Sequence, residues 1–353
     1  MPETNASRVL KRTDAEAVYA VCGYLKRYLT GFAIEDGYVI ADRGSVTMYT
    51  DARYIESAQK FFTGKPGFSV EEMTADNTPA KRLKKYKSVG IPFALTSYPD
   101  YKKLEELNVQ LVDAMPAFTA CMAVKTAEEL SAIERACAIA EEGFLKLLPE
   151  IREGMTEREC AARLEYEMRM AGAEGTSFDT IAAFGANASV PHHETDDTPL
   201  RFGDEILIDF GCKKNGYCSD ITRTFLFGDD KKHEEFKELY ARVLAAHELF
   251  KEKFRAGMTS REGDALARDY LAGYGLDKYF THSLGHGIGL NIHEEPRLSP
   301  KSGTVFQDGM VFSDEPGVYF AGKAGIRIED TVFLRDGKVH SFMHRTDKNL
   351  LII

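Results

Sequence analysis

Short apolar segments alternate with amphipathic segments through the first 122 residues of the chain. Runs of β-branched and aromatic residues predict strands, and apolar positions three or four residues apart predict helices. The elements predicted in this way are a hairpin at 37–50, a helix at 51–62, a strand at 88–95, a helix at 100–108 and a strand at 109–114. We therefore expect a small α/β domain at 1–122, with a boundary near 121–125.

The remaining residues, 123–353, contain a weak internal repeat. The pattern Gly-Met-Thr-x-Arg-Glu occurs at 154–159 and again at 257–262, each time after a long amphipathic helical pattern. The Thr and the following Glu predict a capping box that starts a new helix, as do Thr126 and Glu129. Two interpretations stay open: a common cap sequence repeated by chance, or two helix-pair and sheet halves related by pseudo-twofold symmetry.

Two aspartates flank the strongest short hairpin pattern of the chain, Asn215-Gly216. If these two residues form the loop, Asp209 and Asp220 project from the same face of the hairpin as diagonal neighbours. Their strands are rich in apolar residues, which favours burial over a solvated face. Because buried carboxylates repel each other unless a cation or a shared proton intervenes, the pair predicts a metal site or a catalytic site.

Three further segments carry residues of the same chemistry. "THSLGHGIGLNIHEEP" at 281–296 contains three histidines, and Glu315 and Glu329 lie on apolar, strand-like segments. Two Asp, one His and two Glu form a carboxylate-rich ligand set of the kind that holds paired divalent ions for hydrolysis. Four carboxylate charges would balance two dications.

Composition narrows the class of protein. The chain has 353 residues, 44% of them hydrophobic and 28% charged, with a net charge of −10. We expect no nucleic-acid partner, since no basic stripe is present, and no membrane insertion, since no apolar run reaches the length of a span. Without a secretory pattern at the start, the expected location is the cytoplasm. The six cysteines form no CxxC pair, so Cys212 and Cys218 are expected to be small buried residues rather than zinc ligands.

From about Thr126 to Ile353 the sequence resembles the catalytic domain of the pita-bread metallopeptidases, which include methionine aminopeptidase, aminopeptidase P and prolidase. In chain order, the five metal ligands of that family fall on Asp209 in "IDFG", Asp220 in "SDITRT", His286 in "GHGIG", Glu315 in "DEPG" and Glu329 in "RIED". The resemblance implies that Asp220 and Glu329 bridge two divalent ions, which activate water as the nucleophile. It also implies an internally duplicated fold, which favours the repeat at 154–159 and 257–262.

The segment "YTDARYIESA" at 49–58 is similar to the amino-terminal domain of prolidase, aminopeptidase P and creatinase. This resemblance implies the proline-directed branch, in which the enzyme removes an amino-terminal residue preceding proline. It further implies a homodimer and favours manganese, with cobalt, zinc and iron as alternatives. A methionine-type aminopeptidase, a creatinase-like enzyme without metal and a non-catalytic binding protein are the competing hypotheses.

The resemblance implies roles for further residues. His293 would contact the tetrahedral intermediate or the scissile carbonyl, and His192 in "PHH" would face the substrate across the metals. Glu315 would also take the proton of the attacking water. His193 has no counterpart, so two interpretations stay open: a solvated side chain or, as is favoured for a histidine outside a motif, a structural role with a local hydrogen bond.

The roles of His282 and Arg327 each allow two interpretations. His282 resembles a histidine of the substrate pocket, but a packing role fits equally well. Arg327 either binds the carboxyl end of the substrate or neutralises the carboxylate cluster.

Other motifs in the same region are weaker. Ser283 in "THSLG" lacks the first glycine of a nucleophile elbow, and the glycines of "GHGIG" do not have the dinucleotide-binding spacing. Asp314 and Asn291 depart from the family pattern. Asp314 is expected to point away from Glu315, because consecutive strand residues face opposite sides.

Overall fold

The computed structural model describes residues 4–229 and 233–353, which form two compact units, Met1–Met122 and Ala123–Ile353. No helix in the described ranges has the length and apolarity needed to cross a bilayer.

A single mixed sheet organises the first unit. Its elements are α1 (Asn5–Leu10), β1 (Ala17–Ala20), α2 (Gly23–Thr30), β2 (Tyr38–Asp42), β3 (Val46–Thr50), α3 (Ile55–Phe62), β4 (Phe68–Glu72), α4 (Pro79–Leu83), β5 (Ser88–Ile91), α5 (Tyr98–Glu105), β6 (Gln110–Asp113) and α6 (Met115–Ala123). The strand order is β4-β3-β2-β1-β5-β6, with antiparallel pairs at β1–β2 and β2–β3 and parallel pairs elsewhere. The predicted α/β architecture is confirmed.

Two predicted boundaries in this unit were too wide. The helix predicted at 51–62 begins only at Ile55, because Asp51 forms a turn in which its carboxylate accepts a hydrogen bond from the Arg53 amide. The strand predicted at 88–95 ends at Ile91, since Pro92 has no N–H for the ladder.

The second unit contains two helix pairs and four small sheets. Its elements are α7 (Ala127–Leu147), α8 (Glu157–Met170), β7 (Gly175–Thr176), β8 (Ile181–Phe184), β9 (Glu205–Phe210), β10 (Cys212–Lys214), β11 (Tyr217–Cys218), β12 (Ile221–Leu226), α9 (Glu234–Lys253), α10 (Ser260–Ala272), β13 (Gly285–Gly287), β14 (Glu294–Leu298), β15 (Val311–Asp314), β16 (Gly317–Phe320), β17 (Ala324–Arg327), β18 (Asp330–Arg335) and β19 (Lys338–Ser341). Short 3₁₀ segments occur at Phe93–Leu95 in the first unit and at Leu148–Glu150, Gly185–Ser189 and Asp277–Tyr279 in the second.

The predicted repeat appears as two halves with the same order of elements. Each half has a long helix, a Thr-capped second helix and an antiparallel sheet, β12-β9-β8 in the first and β14-β13-β15-β18-β19 in the second. All three predicted capping boxes form, at Thr126, Thr156 and Thr259. Each half also buries its own apolar core, one around Phe144 and Phe210 and the other around Phe250 and Phe312.

Close backbone packing fixes one wall between these elements. Strand β17 runs against the 3₁₀ segment Gly185–Ser189, and a Cβ atom built on Gly325 would lie 1.7 Å from the Ala188 carbonyl oxygen. Only glycine therefore fits at position 325. The contact holds the segment that leads into Pro191 and His192.

Candidate metal centre

The hairpin with the two aspartates has the predicted register. Asn215 and Gly216 both have positive φ, 50° and 77°, and Lys214 pairs with Tyr217. In the continuing ladder of β9 and β12, Asp209 lies opposite Thr222, two residues after Asp220. Asp209 and Asp220 are therefore diagonal neighbours at the edge of this sheet.

Strands of the second half bring the other three predicted ligands. His286 lies in β13, Glu315 directly follows β15, and Glu329 directly precedes β18. The Glu329 amide donates to the Thr222 carbonyl oxygen at 3.2 Å, which links the two halves at the site itself.

All nine predicted site residues line one cavity of about 360 Å³. They are Asp209, Asp220, His286, Glu315, Glu329, His192, His282, His293 and Arg327. The cavity is also lined by three apolar residues, Phe178, Ile181 and Ile292, and by a second arginine, Arg297.

His286 is oriented as a metal ligand would be. Its Nδ1 lies 3.1 Å from the Gly287 carbonyl oxygen, to which a hydrogen on this nitrogen would be donated. Nε2 then presents a lone pair, 3.4 Å from Asp220 Oδ2 and 3.6 Å from Glu315 Oε1. Ligand atoms of Asp220, His286 and Glu329 all lie within 4.8 Å of one another.

Hydroxyl groups hold two of the carboxylates. Ser313 Oγ donates to Glu315 Oε1 at 2.9 Å and accepts from the His286 amide at 3.0 Å. Thr222 Oγ1 donates to Glu329 Oε2 at 2.6 Å. One oxygen of each carboxylate is thus fixed, which limits the positions that the other oxygen can take.

Arg327 is held by internal partners at each of its donor groups. Nη2 donates to Asp209 Oδ2 at 2.7 Å, Nε to Thr222 Oγ1 at 3.0 Å, and Nη1 to the Tyr319 hydroxyl at 2.7 Å. The hydroxyl of Tyr319 in turn lies 2.9 Å from His282 Nε2. Of the two interpretations of Arg327, this geometry favours the one in which the arginine neutralises the carboxylate cluster.

The electrostatics of the cavity favour cations. Burial, followed by repulsion from neighbouring carboxylates, raises the pKa of Asp220 and of Glu329 well above the ordinary range. Burial also raises the pKa of Glu315. Asp209 Oδ1 is buried and has no hydrogen-bond partner among the described residues. Divalent cations would relieve the repulsion and use this free oxygen, so the donor set fits them.

The two histidines beside the cluster are neutral at neutral pH. Burial and the neighbouring His286 lower the pKa of His293 to about 4, and its ring lies edge to face with that of His286 at 4.3 Å. Burial and the nearby Arg327 lower the pKa of His282 to about 3. A neutral imidazole can donate one N–H and accept at the other nitrogen.

Of the two interpretations of His193, the structure supports the favoured structural role rather than a solvated side chain. Its side chain is 11% exposed, and Nε2 lies 2.7 Å from Glu157 Oε2 at the start of α8. The other oxygen of Glu157 accepts from the Phe184 amide and from Asn187. Glu157 thus anchors the segment that carries His192, which itself is exposed in the cavity.

Sequence reasoning missed several residues that orient the site. Ser313, Thr222 and Tyr319 hold catalytic-site side chains, and Arg297 lines the cavity. Thr222 was detectable in principle, because strand alternation places it on the same face as Asp220. Arg297 had no comparable pattern. Cys212 and Cys218 are buried, as predicted.

Comparisons with known proteins agree with this geometry. The model of metallopeptidase family M24 matches residues 131–336, and that of the creatinase/prolidase N-terminal domain matches residues 5–122. The chain is 36% identical over 326 residues to an Xaa-Pro dipeptidase of Pyrococcus furiosus, covering 89% of each chain. It is also 34% identical over 331 residues to an uncharacterized peptidase of Bacillus subtilis, covering 93% of each.

Solved structures show the same architecture over nearly the whole chain. The X-Pro aminopeptidase of Thermotoga maritima superposes with a TM-score of 0.90 at 31% identity, covering 98% of this chain and 100% of that one. The prolidase of Pyrococcus horikoshii has a TM-score of 0.90 at 32% identity, with coverages of 98% and 99%. The chain belongs to metallopeptidase family M24, with the pita-bread fold preceded by a creatinase/prolidase N-terminal domain.

Proposed function

We propose that this metallopeptidase hydrolyses the bond between an amino-terminal residue and a following proline, as an Xaa-Pro dipeptidase or aminopeptidase. The observation that carries the proposal is the convergence of two Asp, one His and two Glu on a single cavity. The similarity to an Xaa-Pro dipeptidase and to a prolidase supports the choice of proline. In this proposal 1–122 is the creatinase/prolidase-like domain and 123–353 the catalytic domain.

The proposed metal ligands are the five residues predicted from the sequence: Asp209, Asp220, His286, Glu315 and Glu329. They would hold two divalent ions, with Asp220 and Glu329 as the shared ligands. Burial supports the assignment of Asp220 and Glu329 as the shared ligands. They are 4% and 2% exposed and are the most deeply buried of the four carboxylates. Manganese is the preferred ion because oxygen ligands dominate the set.

Divalent ions bound here would lower the pKa of a water molecule from its bulk value to about 7, so that hydroxide would be available to attack the amide. Glu315 accepts the water proton, and Ser313 holds one of its oxygens while it does so. Neutral His293 donates an N–H to the developing oxyanion. His192, on the segment anchored by Glu157, contacts the substrate from the opposite wall.

Substrate recognition is assigned to the open side of the cavity. His282 Nε2 is hydrogen-bonded to the Tyr319 hydroxyl, so it could bind the substrate through this nitrogen only by giving up that contact. We therefore propose that His282 shapes the pocket. Arg327 is 3% exposed and keeps Asp209 in place. Arg297, which lines the cavity and whose Nε lies 4.0 Å from Glu295 Oε1, is the proposed partner of the substrate carboxylate.

A cytoplasmic location and a homodimer complete the proposal. The homodimer comes from the resemblance to the family, and the cytoplasmic location keeps the expectation drawn from the sequence.

The test uses protein freed of metal, reloaded with one divalent ion at a time, and three peptide types: Xaa-Pro, Xaa-Pro-Xaa and Met-Ala-Xaa. We expect cleavage of the proline peptides only, and loss of nearly all turnover together with metal in Asp220→Asn. Cleavage of the methionine peptide alone would replace the proline assignment by the methionine-type alternative. A folded wild-type protein that binds no divalent ion would instead favour a binding protein.

A further inference from the structure

A buried histidine lies behind the metal centre, on the side away from the cavity. His247 of helix α9 is fully buried, with Nδ1 3.0 Å from Asp314 Oδ2 and Nε2 3.7 Å from Asp330 Oδ2. Asp314 precedes the proposed ligand Glu315, and Asp330 follows the proposed ligand Glu329. The expectation that Asp314 points away from Glu315 is thereby confirmed.

The two aspartates face each other across the sheet. Asp314 of β15 and Asp330 of β18 are register partners in an antiparallel pair, and both are fully buried. Like charges directly opposite each other destabilise such a pair. The ring of His247 lies within ion-pair distance of both carboxylates, and a positive charge on it would relieve this repulsion.

The surroundings of the two aspartates differ. Asp330 has two further cations, Arg223 at 3.0 Å and Lys348 at 3.0 Å. Neither carboxylate oxygen of Asp314 has a hydrogen bond to a described residue, and its ion-pair partner is His247 at 3.0 Å. Breaking a buried ion pair leaves an uncompensated charge, which is strongly destabilising.

The charges around His247 support a protonated ring. Burial alone would lower its pKa, but Asp314 and Asp330 raise it to about 9. Glu248 lies 4.0 Å from Nε2 on the same helix, and Lys251 acts on Asp314 from the solvent side. A protonated ring can interact favourably with both carboxylates because both of its nitrogens then carry hydrogen.

Strand geometry connects these contacts to the cavity. Neighbouring side chains on a strand point to opposite faces, so the backbone position that orients Asp314 also orients Glu315. The same holds for Asp330 and Glu329. The side chain of His247, on helix α9, reaches both strand ends.

We propose that His247 is a positioning residue for the metal centre: by joining Asp314 to Asp330, it fixes the backbone from which Glu315 and Glu329 enter the cavity. This inference rests on the proposed function of that cluster. It assigns His247 no contact with metal or substrate.

The test compares His247→Leu, His247→Gln and the double variant His247→Leu/Asp314→Leu. We expect both His247→Leu and the double variant to bind manganese, the preferred ion, about 10–100-fold more weakly than wild type. This range is typical of groups that orient metal ligands. The double variant is expected to be the more stable of the two, because it leaves no unpaired Asp314. Affinity is measured by chelator competition on folded protein.

The double variant distinguishes a positioning role of His247 from a role in which it only balances the charge of Asp314. If it regains wild-type metal affinity together with stability, His247 only compensates Asp314 and the proposal is overturned. His233→Leu is the matched control, since it removes another buried histidine at the start of the same helix, where Gly203 and Asp229 are its partners. Its metal affinity should stay within about twofold of wild type.

A measurement on unchanged protein covers the case in which the variants do not fold. Nitrogen-15 spectra of the histidine rings at pH 7, with the His247 signal identified by its slow exchange, should show hydrogen on both ring nitrogens. Hydrogen on only one ring nitrogen would overturn the proposal, since a neutral ring has a single N–H and cannot donate to both carboxylates. If wild type binds no metal at all, the proposed function fails, whatever the histidine spectra show.

Discussion

Arg327 Nη2 and Asp209 Oδ2 form a buried ion pair at 2.7 Å, at the point where the two halves of the catalytic unit meet. The two residues come from β17 of the second half and β9 of the first. One oxygen of Asp209 is thereby committed to arginine, and the other remains for a metal.

Arg327→Lys should weaken metal binding and activity. A lysine keeps the charge but cannot reach Asp209, Tyr319 and Thr222 together, because those contacts use the planar fork of the guanidinium. We expect a loss of about 10–100-fold in kcat/KM and in metal affinity. Arg158→Lys, an exposed pair with Asp197, is the control and should have nearly no effect.

Arg297→Ala should act on substrate binding. Loss of a charge-assisted hydrogen bond to a carboxylate corresponds to about 10-fold or more in KM. The effect should be large for an Xaa-Pro dipeptide and small for the same dipeptide with an amidated end. An equal rise in KM for both substrates would show that Arg297 does not contact the carboxylate.

Removal of divalent ions should lower thermal stability. Cations that bind only the folded state stabilise it by about 2.7 kcal/mol at one hundred times Kd, and they also relieve repulsion among buried carboxylates. We expect EDTA to lower Tm by about 5 °C, reversibly on addition of manganese. Asp220→Asn should show little dependence of Tm on metal; a full manganese effect in that variant would count against its role as a ligand.

The pKa of His247 predicts a loss of stability at alkaline pH. The folded protein keeps this proton up to about pH 9, whereas the unfolded chain loses it near 6.5. The stabilisation is therefore complete below pH 6.5 and disappears as the pH rises through about 9. Urea unfolding of metal-free wild type and His247→Gln, from pH 6 to 9.5, should give a difference in unfolding free energy that narrows with pH. A constant difference would contradict the assigned charge.

Much of the fold follows from local sequence patterns. The capping Thr residues 126, 156 and 259 each start a helix, and Asn215-Gly216 sets the register of Asp209 and Asp220. These features depend on backbone hydrogen bonds within a few residues, so the sequence carries them directly. The positions of the five proposed ligands came from the resemblance to the pita-bread metallopeptidases, motif by motif, and all five residues line one cavity.

Contacts between distant segments could not be predicted in this way. Strand alternation shows that Asp314 faces away from Glu315, but not that His247, on another element, lies there. The partner of His193 is Glu157, on the preceding helix, and no local pattern indicates that pairing. Such contacts depend on how whole elements pack, which neither periodicity nor spacing encodes.

The glycine at position 325 has a consequence for protein engineering. Any larger residue there would displace the Ala188 carbonyl and, with it, the loop that ends in His192. Libraries aimed at altered peptide selectivity should therefore keep this position invariant and randomise Phe178, Ile181 and Ile292, whose side chains line the cavity. Directed evolution should therefore conserve the wall fixed by Gly325 and vary the apolar residues on the rest of the cavity lining.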